Sequence, residues 1–221
     1  MRNSIRFFAW PAAQTTLVLL PLALFLALDA WMLYPPKDYL VAGGFATGFF
    51  GLIMLFFVIG IGSSLTMVYL PLALAMSSTR KSNFAGLQVV KLANAAISLL
   101  VTIAAFYFYR ALFGEIFPLS SAAVILVFFG ILLLHTMGET VGIICVRYGK
   151  IGMTIYILTF AILGGFVGFF IVSGDGVLSV LSKFLHMLLT NSTLLIAVCL
   201  VLCAAFSAFN WLFIRKMTVR N

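Results

Sequence analysis

Long apolar runs alternate with short clusters of charge along the whole chain, and each run is about the length of a membrane crossing. A lipid-spanning helix needs about 20 consecutive apolar residues. The runs therefore predict six spans, over about 12–34, 39–64, 87–109, 120–146, 151–172 and 193–214. Ahead of the first, MRNSIRFFAW sets Arg2 and Arg6 four apart with Ile5 and Phe8 on another side, which predicts a short interfacial helix that turns into the bilayer at Pro11. Pro21 predicts a kink in the first span, and Pro35, Pro36, Lys37 and Asp38 a polar turn after it. A cleaved signal peptide is the competing reading of this segment. The length of the run and the lack of a small-residue cleavage site favour a retained anchor.

The run from Tyr39 to Met76 is longer than one crossing needs. Gly60, Gly62, Ser63 and Ser64 weaken its lower part and Pro71 interrupts it, which predicts a span to Ser64 and then a separate interfacial helix. The third span closes at Arg110, the fourth at Arg147, Tyr148, Gly149 and Lys150, and the last at Arg215, Lys216 and Arg220. Between the fifth and sixth spans, Val177, Leu178, Leu181, Phe184, Leu185 and Leu188 recur at helical spacing, while Ser179, Lys183, His186 and Thr190 share another face. This pattern predicts an amphipathic helix on the outer side of the membrane, re-entrant or resting on the leaflet.

Composition agrees with the pattern. Of 221 residues, 64% are hydrophobic and only 8% charged, whereas an average soluble domain is about half apolar and a quarter charged. There is not enough polar surface to face water all round, so the fold class expected is an all-α integral membrane protein with a single transmembrane domain over residues 1–221.

The net charge of +8 changes the picture only through its distribution. The basic residues come in ones and twos between apolar runs, as topology signals do, and do not form the clustered surface that nucleic acid requires. With six spans, Arg2, Arg6, Arg80, Lys81, Lys91, Arg147, Lys150, Arg215, Lys216 and Arg220 fall on one side, against Lys37, Arg110 and Lys183 on the other. The positive-inside rule then puts both termini in the cytoplasm. Trp10 and Trp211 near the inner boundary, and Trp31, Tyr34 and Tyr39 near the outer one, fit aromatic belts.

Candidate chemistry is sparse. There is no phosphate-cradling G-x-x-x-x-G-K-[ST] loop, no H-E-x-x-H, no G-x-S-x-G elbow and no paired carboxylates. Cys145, Cys199 and Cys203 lie in or at the end of apolar runs and read as small buried hydrophobes. Glu139 stands out, eight residues before Arg147 and so roughly 12 Å above the helix end. His135 lies four residues earlier on the same face, within reach of a hydrogen bond. An ionisable residue inside a span usually faces protein or a water-filled cavity. A structural hydrogen bond at an interface, a pathway-lining contact, and a metal or proton site all remain open for this pair. Asp29 reads as a snorkelling end residue, and Lys91 and Asn94 as interfacial. Gly44 with Gly48, and Gly164 with Gly168, form two G-x-x-x-G pairs that suggest close helix packing.

The segment PLALAMSSTRKSNFAG, after the second span, offers a short helix and exposed charge to a cytoplasmic partner groove, or else an ordinary interfacial turn. It resembles the first cytoplasmic loop of bacterial type-2 ATP-binding-cassette (ABC) permeases, in which a Pro-Leu-Ala-Leu-like run precedes Thr-Arg-Lys and an aromatic residue. The stretch CVRYGKIGM, between the fourth and fifth spans, is similar to the Arg-aromatic-Gly-Lys turn of small members of that family, and the six-span layout matches as well. Ser77 and Ser78 depart from the pattern, standing where many relatives have a Gly before the Thr-Arg pair.

The resemblance implies a permease half-transporter in the bacterial inner membrane, a homodimer driven by separate ATPase subunits that bind the ATP and Mg. It implies that the chain itself is not an enzyme and carries no cofactor. Pro71, Leu72, Leu74, Met76, Ser77 and Ser78 would form the coupling helix, with Arg80 and Lys81 beside it, and His135 and Glu139 would be candidates to line the pathway. The N-terminal helix would be the family's interfacial elbow, and the outer segment would close the pathway. Amphipathic or antimicrobial peptides are the expected cargo, with lipid or drug export as the alternative. Outside the family, a proton-coupled carrier using Glu139 and His135, or an accessory membrane protein without transport, remain.

Overall fold

The computed structural model describes residues 2–33, 39–76, 79–114, 121–154, 156–158, 161–162 and 192–216. Among these, all regular structure is helical: α1 (Arg2–Leu17), α2 (Leu19–Leu33), α3 (Tyr39–Ser64), a π-helical turn (Leu65–Tyr69), α4 (Leu70–Ala75), α5 (Arg80–Phe113), α6 (Ser121–Tyr148) and α7 (Ser192–Ile214). Five helical stretches are long and apolar enough to cross a membrane: Ser4–Met32, Ala46–Ala75, Arg80–Phe113, Ser121–Tyr148 and Thr193–Ile214. The expected fifth crossing and the outer amphipathic segment fall largely outside the described residues.

Two of the expected boundaries are replaced by continuous helix. The N-terminal helix does not end at Pro11, because α1 runs through it to Leu17. Phe8 and Ala12, one turn apart around that proline, are both buried in the same apolar cluster as Leu87 and Val90 of α5, and this packing holds the helix where one hydrogen bond is missing. The break falls instead at Val18, whose N–H reaches Thr15 O at 3.2 Å, just before Pro21 withholds a donor from Leu17. The second departure is at Pro71, where α3 does not end at Ser64. A π turn carries it into α4, with the Leu70 N–H bonded to Leu65 O five residues back. The wider turn lets the chain pass the Pro71 ring without stopping, so the expected separate helix is the last part of the second span.

Helix α6 is the centre of the bundle and packs against α3, α5 and α7, while α1 lies on α5 and α2 on α3 and α5. The outer faces are apolar: Phe25, Leu28, Leu100 and Val201 are each more than half exposed. The interior is partly polar, the reverse of a water-soluble bundle and the arrangement lipid selects. This is a multi-pass membrane protein. Its interior has three levels. One apolar cluster contains Leu19, Phe50, Val58, Val101, Tyr109 and Leu132, and a second contains Phe8, Ile61, Leu65, Leu87, Val90 and Ile143. Between them in sequence on the N-terminal helices, α5 and α6 lie buried polar residues: Thr16, Lys91 with Asn94, and His135, Thr136, Glu139 and Thr140.

The α3–α6 crossing is set by glycine. A Cβ on Gly62 would strike the His135 carbonyl, one on Gly138 the Ile59 carbonyl, and one on Gly142 the Thr66 hydroxyl. Backbone meets backbone there, as small residues permit between membrane helices. We expect Gly138→Val to destabilise the protein by about 1–3 kcal/mol through overpacking, read as a lowered unfolding midpoint in detergent. Gly130→Ala, where nothing lies within 4 Å of the added carbon, should leave that midpoint unchanged.

Candidate functional site

The polar level closes on a charged cluster shared by three helices. Lys91 of α5 lies 4% exposed, Glu139 of α6 1% and His135 0%. Lys91 Nζ is 3.3 Å from Glu139 Oε2 and donates a second hydrogen bond to Ser207 Oγ of α7, also at 3.3 Å. The other carboxylate oxygen, Oε1, faces His135 Nδ1 at 3.7 Å. That separation is an electrostatic contact, longer than the hydrogen bond the i, i+4 spacing suggests. Lys91 is thus not an interfacial residue, and one carboxylate lies between two basic side chains.

Local sequence explains the placement. Lys91 and Asn94 share the buried side of α5 with Leu87, Val90, Ala95 and Ser98, so the lysine is drawn in with its apolar neighbours. Eleven residues from the start of α5, it is roughly 16 Å along the helix, too far in for its head to snorkel. On α6, His135, Gly138, Glu139 and Gly142 fall on one buried face. The two glycines bring α3 so close that Thr66 Oγ1 lies 3.2 Å from the Glu139 carbonyl. Asn94 is tied to Thr16 of α1 by a buried hydrogen bond, which joins a fourth helix to the level.

Hydrogen bonding within the cluster is incomplete. His135 Nδ1 and Nε2 and Glu139 Oε1 are buried without a hydrogen-bond partner among the described residues. Removing two charges from water costs several kcal/mol each, and an apolar pair of similar volume often does as well or better. The cluster is therefore a poor device for stability alone and a strong marker of function. Its chemistry is electrostatic: it cross-links α5, α6 and α7, and it offers one carboxylate to two bases. No group of three or more His, Cys, Asp or Glu side chains is arranged for a metal ion among the described residues.

Other sequence candidates lie elsewhere. Pro71, Leu72 and Leu74 are in α4 and Met76 is its cap, with Leu72 51% and Met76 71% exposed. Ser77 and Ser78 lie outside the described residues. Thr79 caps α5, its side-chain oxygen accepting the Ser82 N–H at 3.2 Å, and Arg80 and Lys81 follow it, exposed. Among the described residues of this segment, none bonds to the charged cluster. Gly44 is helical, Gly48 is exposed with open space around it, and Gly164 and Gly168 lie outside the described residues. The seam is formed by Gly62, Gly138 and Gly142, which a search for G-x-x-x-G within one helix passes over except as Gly138-x-x-x-Gly142. Lys91 and Ser207 were also missed as cluster members. The available signal was a lysine one turn inside an apolar run, opposite the only acid deep in a span.

Compared with protein-family models, curated proteins and solved structures, the chain matches none of them.

Removing Lys91 leaves Glu139 buried with only the longer His135 contact. We expect Lys91→Met to cost about 3–5 kcal/mol, measured by denaturant titration in mixed micelles. The double variant Lys91→Met with Glu139→Met should recover most of that loss, since no charge is then stranded.

Proposed function

We propose that the chain is the permease subunit of an ATP-driven ABC exporter in the bacterial inner membrane. In this reading two copies form the pathway, separate ATPase subunits bind ATP and Mg beneath them, and the cargo is an amphipathic or antimicrobial peptide. The observation that carries it is the segment PLALAMSSTRKSNFAG, with its exposed Leu72, Met76, Arg80 and Lys81, at the end of the bundle where other basic turns gather. Arg80 Nη1 donates to Arg215 O at 3.2 Å, Arg147 stacks over Phe213 at 4.5 Å, and Phe84 meets Trp211 with ring centroids 5.2 Å apart. An excess of basic residues at one end supports a cytoplasmic location for it and for both termini.

Six spans are supported by the path of the chain: α6 ends at this basic end and α7 also ends there, so α7 begins at the far end. The coupling segment is joined to α3 by continuous helix through the π turn, and its last residues, Arg80 and Lys81, open α5. A push delivered by an ATPase to residues 71–81 would be carried by α3 to the glycine seam and by α5 to Lys91. That is the mechanical connection a half-transporter needs. Lipid or drug export fits the same frame. The buried Lys91–Glu139–His135 cluster favours, as a second reading, a proton-driven carrier in which Glu139 and His135 relay the proton.

Co-expression with the ATPase of a neighbouring gene, followed by peptide uptake into inside-out vesicles, separates these readings. We expect uptake to need ATP and to survive collapse of the proton gradient, and to fall to the nucleotide-free level when Arg80→Glu and Lys81→Glu are combined with Leu72→Asp and Met76→Asp. Full ATP-driven uptake by that variant, or no complex with the ATPase, would overturn the assignment. Uptake that survives ATP depletion and stops with the proton gradient would establish the carrier.

A further inference from the structure

Three helix ends meet at the basic end of the bundle, and apart from Arg80 the cations they bring are given no role in the exporter reading. The start of α5 brings Arg80, the end of α6 brings Arg147 and the turn after it Lys150, and the end of α7 brings Arg215 and Lys216. All five are exposed. The contacts from Arg80 to the Arg215 carbonyl and from Arg147 to the Phe213 ring fix these ends side by side. The tight turn between Arg147 and Lys150 is held by Gly152, whose added Cβ would strike Cys145, and by the Cys145 Sγ–Gly152 O contact at 3.3 Å. None of the five pairs with a carboxylate among the described residues, whose ion pairs are the buried ones on Glu139. Like charges gathered this closely repel, and a counter-charge from outside the chain lowers that cost.

Position selects the counter-charge. Each cation stands at or within two residues of the end of an apolar helix, level with Trp211 and Tyr148, aromatic types that favour the headgroup zone. Arg147 holds its guanidinium against an aromatic face 4.5 Å away, a placement in which charge and apolar surface adjoin, as at a lipid headgroup. We propose that this surface is a binding site for anionic phospholipid, with the phosphate of a phosphatidylglycerol-type headgroup held between Arg147, Lys150, Arg215 and Lys216 while its acyl chains run along the apolar faces of α6 and α7. Juxtamembrane clusters of Lys and Arg attract anionic lipid in this way, with a strength that grows with each cation. The site rests on the spanning helices alone and stands whether or not an ATPase binds the chain.

The test uses the full-length protein reconstituted in phosphatidylcholine bilayers with spin-labelled phosphatidylglycerol or spin-labelled phosphatidylcholine as probe, reading the motionally restricted fraction by electron paramagnetic resonance. The wild type should associate with the phosphatidylglycerol probe several-fold more strongly. The combined variant Arg147→Gln, Lys150→Gln, Arg215→Gln and Lys216→Gln should bring the two probes close to parity. Arg110→Gln, at the other end of α5 and roughly 45 Å from Arg80, should keep the preference. Equal association of both probes with the wild type would overturn the site, as would a preference that the combined variant retains. Loss of the preference in Arg110→Gln to the same extent would overturn it too, by making it a property of net charge. Because these four substitutions leave residues 71–81 intact, ATP-driven uptake measured in parallel tells failure of the lipid site from failure of the coupling assignment.

Discussion

The buried carboxylate of Glu139 organises the bundle. In lipid there is no water to take up an exposed charge, so once α6 carries an acid between two apolar clusters, other helices must bring compensation to it. Helix α5 brings Lys91, α7 brings Ser207 to the same ammonium, and α6 itself turns His135 toward the second oxygen. Apolar side chains pack against lipid tails nearly as well as against one another, so they say little about which helix sits beside which. The polar level does say so, because a displaced α5 would strand a charge at each end of the broken pair.

Glycine fixes the same level in the other direction. The collisions that a Cβ at Gly62, Gly138 or Gly142 would cause leave one depth at which α3 and α6 can cross, and that depth puts Thr66 next to the Glu139 backbone. Thus α3 is positioned by shape and α5 and α7 by charge. The two constraints meet on a single face of α6, within two turns of helix. The crossing is thus close-packed on one side and electrostatically tied on the other.

Much of this fold was legible in the chain. The apolar runs marked five of the helical stretches, the one ending at Tyr148 and the one ending at Ile214 almost to the residue and the first three with a boundary misplaced by two turns or more, because length and hydropathy are what lipid imposes. The error at Pro11 arose because proline reports a missing donor and not the packing of Phe8 and Ala12 that holds the helix across it. The one at Pro71 arose because a π turn leaves no mark in composition. Glu139 and His135 could be picked out as buried, since a charge within a run is conspicuous. Lys91 gives a weaker signal, because a lysine one turn inside an apolar run looks the same in sequence whether it reaches outward to water or inward to an acid 48 positions along the chain. Only the tertiary arrangement supplies that acid.

The π turn has a consequence for how the second span ends. A wide turn spreads extra backbone over one circuit, so the azimuth of every side chain after Tyr69 is offset from the phase set between Tyr39 and Ser64. Without that offset, Leu70 and Ala73 would not face the interior where they are buried, and the outward directions now held by Leu72 and Met76 would fall to other residues. Thr66 belongs to that same turn and is bonded to the Glu139 carbonyl, so the outward direction of the last six residues of the span is geared to the glycine crossing above them.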